Sequence, residues 1–227
     1  MNNSTNKIAQ IKGSVNRVHP KREPLSRTWF AGHGYTKIPD GILPRTYYIK
    51  VTDEHPEGIV VNEFGQQMAL LKLPNEKVRK KIKSSVEYFY LHVKHKGKDR
   101  HYSMHFLVFC TFHHIPEKGK HIDHIDGDSF NNRPSNLREV DKSINDRDAG
   151  FLRKLRNHRI DVRMYPGIIL EGYERMAKYK ATHKKWQYEK LSRKDLLLLF
   201  VGDGFRIAEP SEIEFDEPFK YADMYER

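Results

Sequence analysis

The stretch Lys120-His-Ile-Asp-His-Ile-Asp-Gly-Asp-Ser-Phe-Asn-Asn-Arg-Pro-Ser-Asn-Leu-Arg-Glu-Val-Asp-Lys-Ser-Ile-Asn145 decides the reading of this chain. It gathers His, Asp and Asn side chains into two short segments joined by a polar loop. Ile122 and Ile125 bracket Asp123-His124, and Asp126-Gly127 is a strong turn signal. Leu137 to Val140 is short and mixed, as a strand would be. Asp141 suits the N-cap of a following helix that carries Asn145 about one turn in. The local prediction is strand, loop, strand, helix.

These residues resemble the HNH nuclease family, whose core is the ββα-metal fold. The likeness rests on Asp123-His124, Asn131-Asn132-Arg133, Asn136-Leu137-Arg138 and Asn145. Upstream, His105-Phe-Leu-Val with Phe112 is similar to the family's short buried helix, with Phe106 where arginine is usual. The match covers roughly residues 101 to 149, and several residue types agree at fixed spacing.

The resemblance implies a phosphodiester hydrolase, and the chemistry accounts for the residue types. Hydrolysis needs a deprotonated water, a cation on the phosphate and help for the leaving oxygen. Magnesium (or manganese) prefers oxygen donors and keeps several waters. The implied ligands are the carboxylate of Asp123 and the amide oxygen of Asn145. The implied base is His124, since an imidazole has a reference pKa of about 6.5. Asn136, the other implied catalytic residue, would brace the loop by hydrogen bonds. Adjacent strand residues point to opposite faces, so Asp123 and His124 can share a site only at a strand end or a twist.

Each residue also has a simpler reading. Asp126, Asn131 and Asn132 fit ordinary turn positions. His121 is a surface residue, or joins His124 and Asp123 in a zinc site. Structural zinc sites favour closed sets of four Cys and His ligands.

The 227 residues suffice for one or two domains with a real core. Hydrophobic residues make up 37% and charged residues 31%, which suggests small modules in an extended layout. A net charge of +11 favours a polyanionic partner. The single cysteine, Cys110, lies in an apolar run and reads as a small buried hydrophobe. It excludes an intramolecular disulfide and paired-cysteine zinc ribbons. No apolar run approaches ~18 residues, so no membrane span is expected. The first residues are polar, unlike a signal peptide, and a cytoplasmic location is expected.

The predicted class is α+β, in five parts. Residues 1–30 form a basic arm, either a solvated tail or a strap along DNA phosphates. Residues 31–100 are β-rich, with a strand at Tyr47–Val51 and a hairpin joining Gly58–Gly65 to Met68–Leu71. A lysine-rich helix at 76–83 and a strand at Val86–Val93 follow, then a basic turn around Gly97. Residues 101–156 hold the nuclease-like core.

Residues 157–202 read as three strands and a helix. Ile160, Val162 and Met164 alternate on one face; Glu174–Ala181 and Trp186–Leu191 supply the other strands. Ser192-x-x-Asp195 is a capping box opening the helix, with Gly202 at its end. With Lys178, Lys180, Lys184, Lys185 and Trp186 on the sheet, this segment is similar to small Apetala-type DNA-binding domains. A purely structural subdomain fits the same pattern. Arg133 and Arg138 join the candidate DNA contacts. Residues 203–227 are an acidic tail.

The expected function is a magnesium-dependent endonuclease on double-stranded DNA, of the phage or homing type, leaving 3′-hydroxyl and 5′-phosphate ends. The alternative is a DNA-binding regulator that keeps the fold without activity.

Overall fold

The computed structural model describes residues 23–74, 87–161 and 165–202. The arm up to residue 22, the expected helix at 76–83, residues 162–164 of the alternating segment, and the acidic tail lie outside them.

The N-terminal region is two small antiparallel sheets. The first has the order β1 (Thr36–Lys37), β2 (Tyr47–Lys50), β3 (Ile59–Asn62). Helix α1 (Arg27–Gly32) starts at Ser26, whose side chain accepts from the Trp29 amide. It lays Phe30 on Tyr48, with ring centroids 3.6 Å apart. The second sheet has the order β4 (Leu70–Pro74), β5 (Glu87–His95), β6 (Lys98–Ser103). Lys96 and Gly97, both with positive φ (48° and 75°), make the tight turn between β5 and β6.

The expected hairpin joining Gly58–Gly65 to Met68–Leu71 forms only at its base. Gln67 bridges to Val61, and the Met68 amide donates to the Val60 carbonyl. From Leu70 the chain leaves for the second sheet, where Leu70 pairs with Leu91. Leu91 is fully buried, so the aromatic and branched strand β5 competes better for this partner.

Helix α2 (Met104–Phe112) is buried through Met104, Leu107, Val108, Phe109 and Cys110. It joins Ile49 and Val60 of the first sheet, Leu91 and Val93 of the second, and Leu137 in one core. The chain then forms the hairpin β7 (His121–His124) and β8 (Leu137–Val140), with a 3₁₀ turn at Pro134–Asn136 before β8. Helix α3 (Lys142–Asn157) follows, with Asp141 at its N-cap. The predicted strand, loop, strand, helix order is present.

Residues 165–202 are helical, which corrects the three-stranded reading. The helices are α4 (Pro166–Thr182), α5 (Lys185–Glu189) and α6 (Arg193–Val201). Ile169, Tyr173 and Met176 recur at helical spacing, and Pro166 stands at the helix start, where its missing N–H costs nothing. Half of the expected capping box forms: the Ser192 hydroxyl accepts from the Asp195 amide and donates to the Asp195 carboxylate, and Gly202 at φ 83° ends α6. A Cβ on Gly172 would lie 2.5 Å from the Phe200 ring, so α4 and α6 touch where only glycine fits.

The second core crosses the expected boundary at residue 156. Ile125, Phe151, Leu152 and Leu155 pack with Ile169, Tyr173, Met176, Leu196 and Phe200. The hairpin β7–β8 therefore lies between two cores, with α2 on one side and α3 with α4 on the other.

Candidate active site

The hairpin register explains how neighbouring residues serve different surroundings. Asp123 pairs with Arg138 and His124 with Leu137. Cross-strand partners share a face and neighbours alternate. His124 and Leu137 thus face α2, while Asp123 and Arg138 face the helices that follow. His124 is the last residue of β7, where the strand gives way to the turn closed by the Gly127 amide on the His124 carbonyl.

His124 is buried and held by one amide. Its Nε2 lies 2.9 Å from Asn132 Oδ1. Asn132 is itself buried, donates through Nδ2 to the Glu57 carbonyl (3.1 Å), and donates its backbone N–H to the Pro56 carbonyl. The Asn132 amide nitrogen is thus committed, and its oxygen can only accept. That makes Nε2 the protonated nitrogen of a neutral His124, with the lone pair on Nδ1.

Two further rings adjoin it. His105 of α2 lies 5.4 Å from His124, and Tyr88 of β5 lies 6.1 Å away, centroid to centroid. Burial, then the neighbouring His124, pushes His105 down to about 3, so it stays neutral. Burial raises the Tyr88 hydroxyl, with Tyr90 and then Asp123 adding to the effect.

Asn136 ties the loop together. Its Nδ2 donates to Asp126 Oδ1 (2.9 Å) and to the Asn131 carbonyl (2.8 Å), and its Oδ1 accepts from the Asp126 amide. Its own carbonyl accepts from the Ile125 amide. Gly127, at φ 70°, completes the turn where a Cβ would strike Leu152 at 2.5 Å.

Asp123 is held by charge. Arg138 donates to its Oδ2 through Nε (3.0 Å) and Nη2 (2.8 Å). The same Nη2 lies 2.6 Å from Oδ2 of Asp148, which is buried on α3. Arg147 holds the other Asp148 oxygen at 2.7 Å and reaches Glu174 of α4 at 2.9 Å. Burial raises the Asp123 carboxyl, and Arg138 only partly pulls it back. Beside this chain, the Tyr173 hydroxyl donates to the Ile125 carbonyl at 2.6 Å.

Arg138, a candidate DNA contact, is clamped between these carboxylates because the register sets it opposite Asp123. Arg133 is likewise engaged, with Asp53 and with Asn131 Oδ1. Lys178 and Lys180 are exposed on α4, where Lys180 reaches over Phe151 and Tyr188. Lys184 caps α5, which carries the exposed Lys185 and Trp186. They lie on helices, not on a sheet. The β5–β6 hairpin presents a further exposed basic set, Lys94, Lys96, Lys98 and Arg100.

Among the described residues no group of three or more His, Cys, Asp or Glu side chains is arranged to hold a metal ion. The alternation along β7 explains why His121, Asp123 and His124 make no zinc cluster. The donor chemistry suits a hard cation instead. Both Arg138 bonds fall on Oδ2 of Asp123, which leaves Oδ1 without a partner among the described residues. Asn145 lies three residues before Asp148, on the same face of α3. One carboxylate and one amide oxygen fit an ion that keeps much of its water.

Asn132, Tyr88 and Asp148 adjoin the candidate residues and are not among the candidates the sequence offers. Asn132 carried a signal, since it lies within the Asn131-Asn132-Arg133 part of the resemblance. Asp148 lies one helical turn beyond Asn145.

Residues 102–147 match the family model described as HNH endonuclease. No curated protein matches the chain. A similar solved structure is described as "DNA binding and cleavage by the HNH homing endonuclease I-HmuI". It is 22% identical, covers 54% of this chain and 67% of that one, and superposes with a TM-score of 0.36. No helix among the described residues is long and apolar enough to cross a membrane.

Proposed function

From an HNH endonuclease segment at residues 102–147, we propose that this protein hydrolyses phosphodiester bonds of double-stranded DNA with a divalent cation, and that His124 is its general base. The observation that carries the reading is the His124–Asn132 bond. It leaves the lone pair of a neutral His124 on Nδ1.

In this mechanism Nδ1 of His124 takes the proton of the attacking water. Asn132 fixes the ring and the tautomer, as a partner on the second nitrogen does for catalytic histidines generally. His105 is kept neutral by burial, so it adds no charge opposing the imidazolium that forms. Asp123 and Asn145 would hold magnesium or manganese. When bound, that cation supplies positive charge for the phosphate and the leaving oxygen. Asn136 keeps the loop, and so the end of β7, in place.

A net charge of +11 supports a nucleic-acid substrate. The exposed lysines of the β5–β6 hairpin, α4 and α5 would bind phosphates, with affinity falling steeply in salt. One observation favours the inactive-regulator reading: Arg138 sits on the Asp123 oxygen.

Incubation with supercoiled plasmid decides between them. Nicked or linear product with magnesium, and none in EDTA, is the expected result. Binding without any cleavage over a range of magnesium and manganese concentrations would establish the regulator instead.

A further inference from the structure

We propose that Asp148 is a positioning residue that sets the metal affinity of Asp123 by drawing Arg138 away from it. The inference rests on the nuclease reading of Asp123.

A cation approaching Asp123 meets a competitor, because the Arg138 guanidinium already holds that carboxylate through two N–H groups. Arg138 does not belong to Asp123 alone. Its Nη2 is shared with Asp148, and the Asp148 contact is the shorter one, 2.6 Å against 2.8 Å. Asp148 is only 1% exposed, so its charge is poorly screened and its pull on Arg138 is strong. Arg147 modulates that pull by occupying the second Asp148 oxygen, and Glu174 of α4 in turn holds Arg147.

The charges alternate along the series Asp123, Arg138, Asp148, Arg147, Glu174. Each member therefore acts on Asp123 with the opposite sign to the one before it. Neutralising Asp148 frees Arg138 to close fully on Asp123 and weakens cation binding. Neutralising Arg147 frees Asp148 to hold Arg138 harder and strengthens cation binding. Loss of packing alone would weaken binding in both cases.

The test is Mn2+ binding to the full chain, followed by calorimetry and by electron paramagnetic resonance of free Mn2+. Asp148→Asn should weaken binding about tenfold, the lower end for outer partners of metal ligands. Arg147→Gln should tighten it several-fold. Arg153→Gln, which removes an equal charge from the exposed side of α3, should leave it unchanged. If Asp148→Asn does not fold, Arg147→Gln against Arg153→Gln still decides. Equal or weaker binding by Arg147→Gln than by Arg153→Gln overturns the proposal while leaving the nuclease site in place. A wild-type chain that binds no Mn2+ overturns the site itself.

Discussion

His124 and Asp123 are neighbours in sequence, yet their surroundings have little in common. His124 faces α2 and is held by a neutral amide whose other bonds run to the backbone at Pro56 and Glu57. Asp123 faces α3 and α4 and is held by a row of charges. A base needs a fixed lone pair and no added charge, which an amide provides. A metal ligand needs a hold that can be exchanged, which a shared guanidinium provides. The hairpin thus gives the proposed base and the proposed metal ligand different supports, an amide for one and a shared guanidinium for the other, with His124 at the end of β7.

Removing one side altogether gives the largest expected effect. A chain ending at residue 161 loses Ile169, Tyr173 and Met176 from the core around Phe151, Leu152 and Leu155. Exposing those three side chains at about 1.5–3 kcal/mol each takes much of a typical stability of about 5–15 kcal/mol. The truncated chain should show no cooperative thermal transition followed at α3. A well-folded, active truncation would mean that the helices after α3 are dispensable to the Asp123 side.

Substitutions on the other side should spare the fold and strike the rate. His124→Ala should slow plasmid cleavage about 10²–10⁴-fold with DNA binding retained. Asn132→Ala should slow it less than His124→Ala, by about 10²-fold, because the base remains but its tautomer is no longer fixed. If the Asn132 variant cleaves at the wild-type rate, the amide is only a loop tether.

A further effect concerns pH. His105 is depressed to about 3 by burial, against about 6.5 in an unfolded chain. Between those values the unfolded state binds the extra proton. Stability therefore falls as pH drops from about 6.5 towards 3, by about 1.4 kcal/mol per unit for one proton. Above about 6.5 this group contributes no slope. Denaturant titrations of His105→Phe should show a shallower acid limb than wild type. An unchanged limb would mean that His105 gains its proton as easily in the folded state.

The legible parts of the chain were those governed by local rules. Asp126-Gly127 and Ser192-x-x-Asp195 each act within a few residues, and Asp141 stands at the N-cap position although its side chain pairs with Lys120 instead of capping. The apolar run through Phe112 does not reveal its own class. The family resemblance supplied the helix. Between 166 and 182, two periods compete in the sequence. Glu174–Ala181 reads as a strand from the sequence, but Ile169, Tyr173 and Met176 bury one helical stripe, and tertiary packing favours that stripe.

The partners of the site were illegible for a different reason. Arg138 meets Asp123 only through the register of β7 and β8, and Asn132 meets Glu57 across most of the N-terminal region. No spacing rule links such positions.

The bond from the Tyr173 hydroxyl to the Ile125 carbonyl bears on how such a protein could be recombined. A graft that replaced α4 to α6 with a different set of helices would leave that buried carbonyl with no donor, one peptide beyond the proposed base. An orphaned buried acceptor costs about 1–3 kcal/mol, and here the cost falls on the end of β7. A chimera would have to carry a hydroxyl to the same point. The seam for exchanging parts therefore lies beyond Tyr173, well inside what the sequence marks off as a separate module.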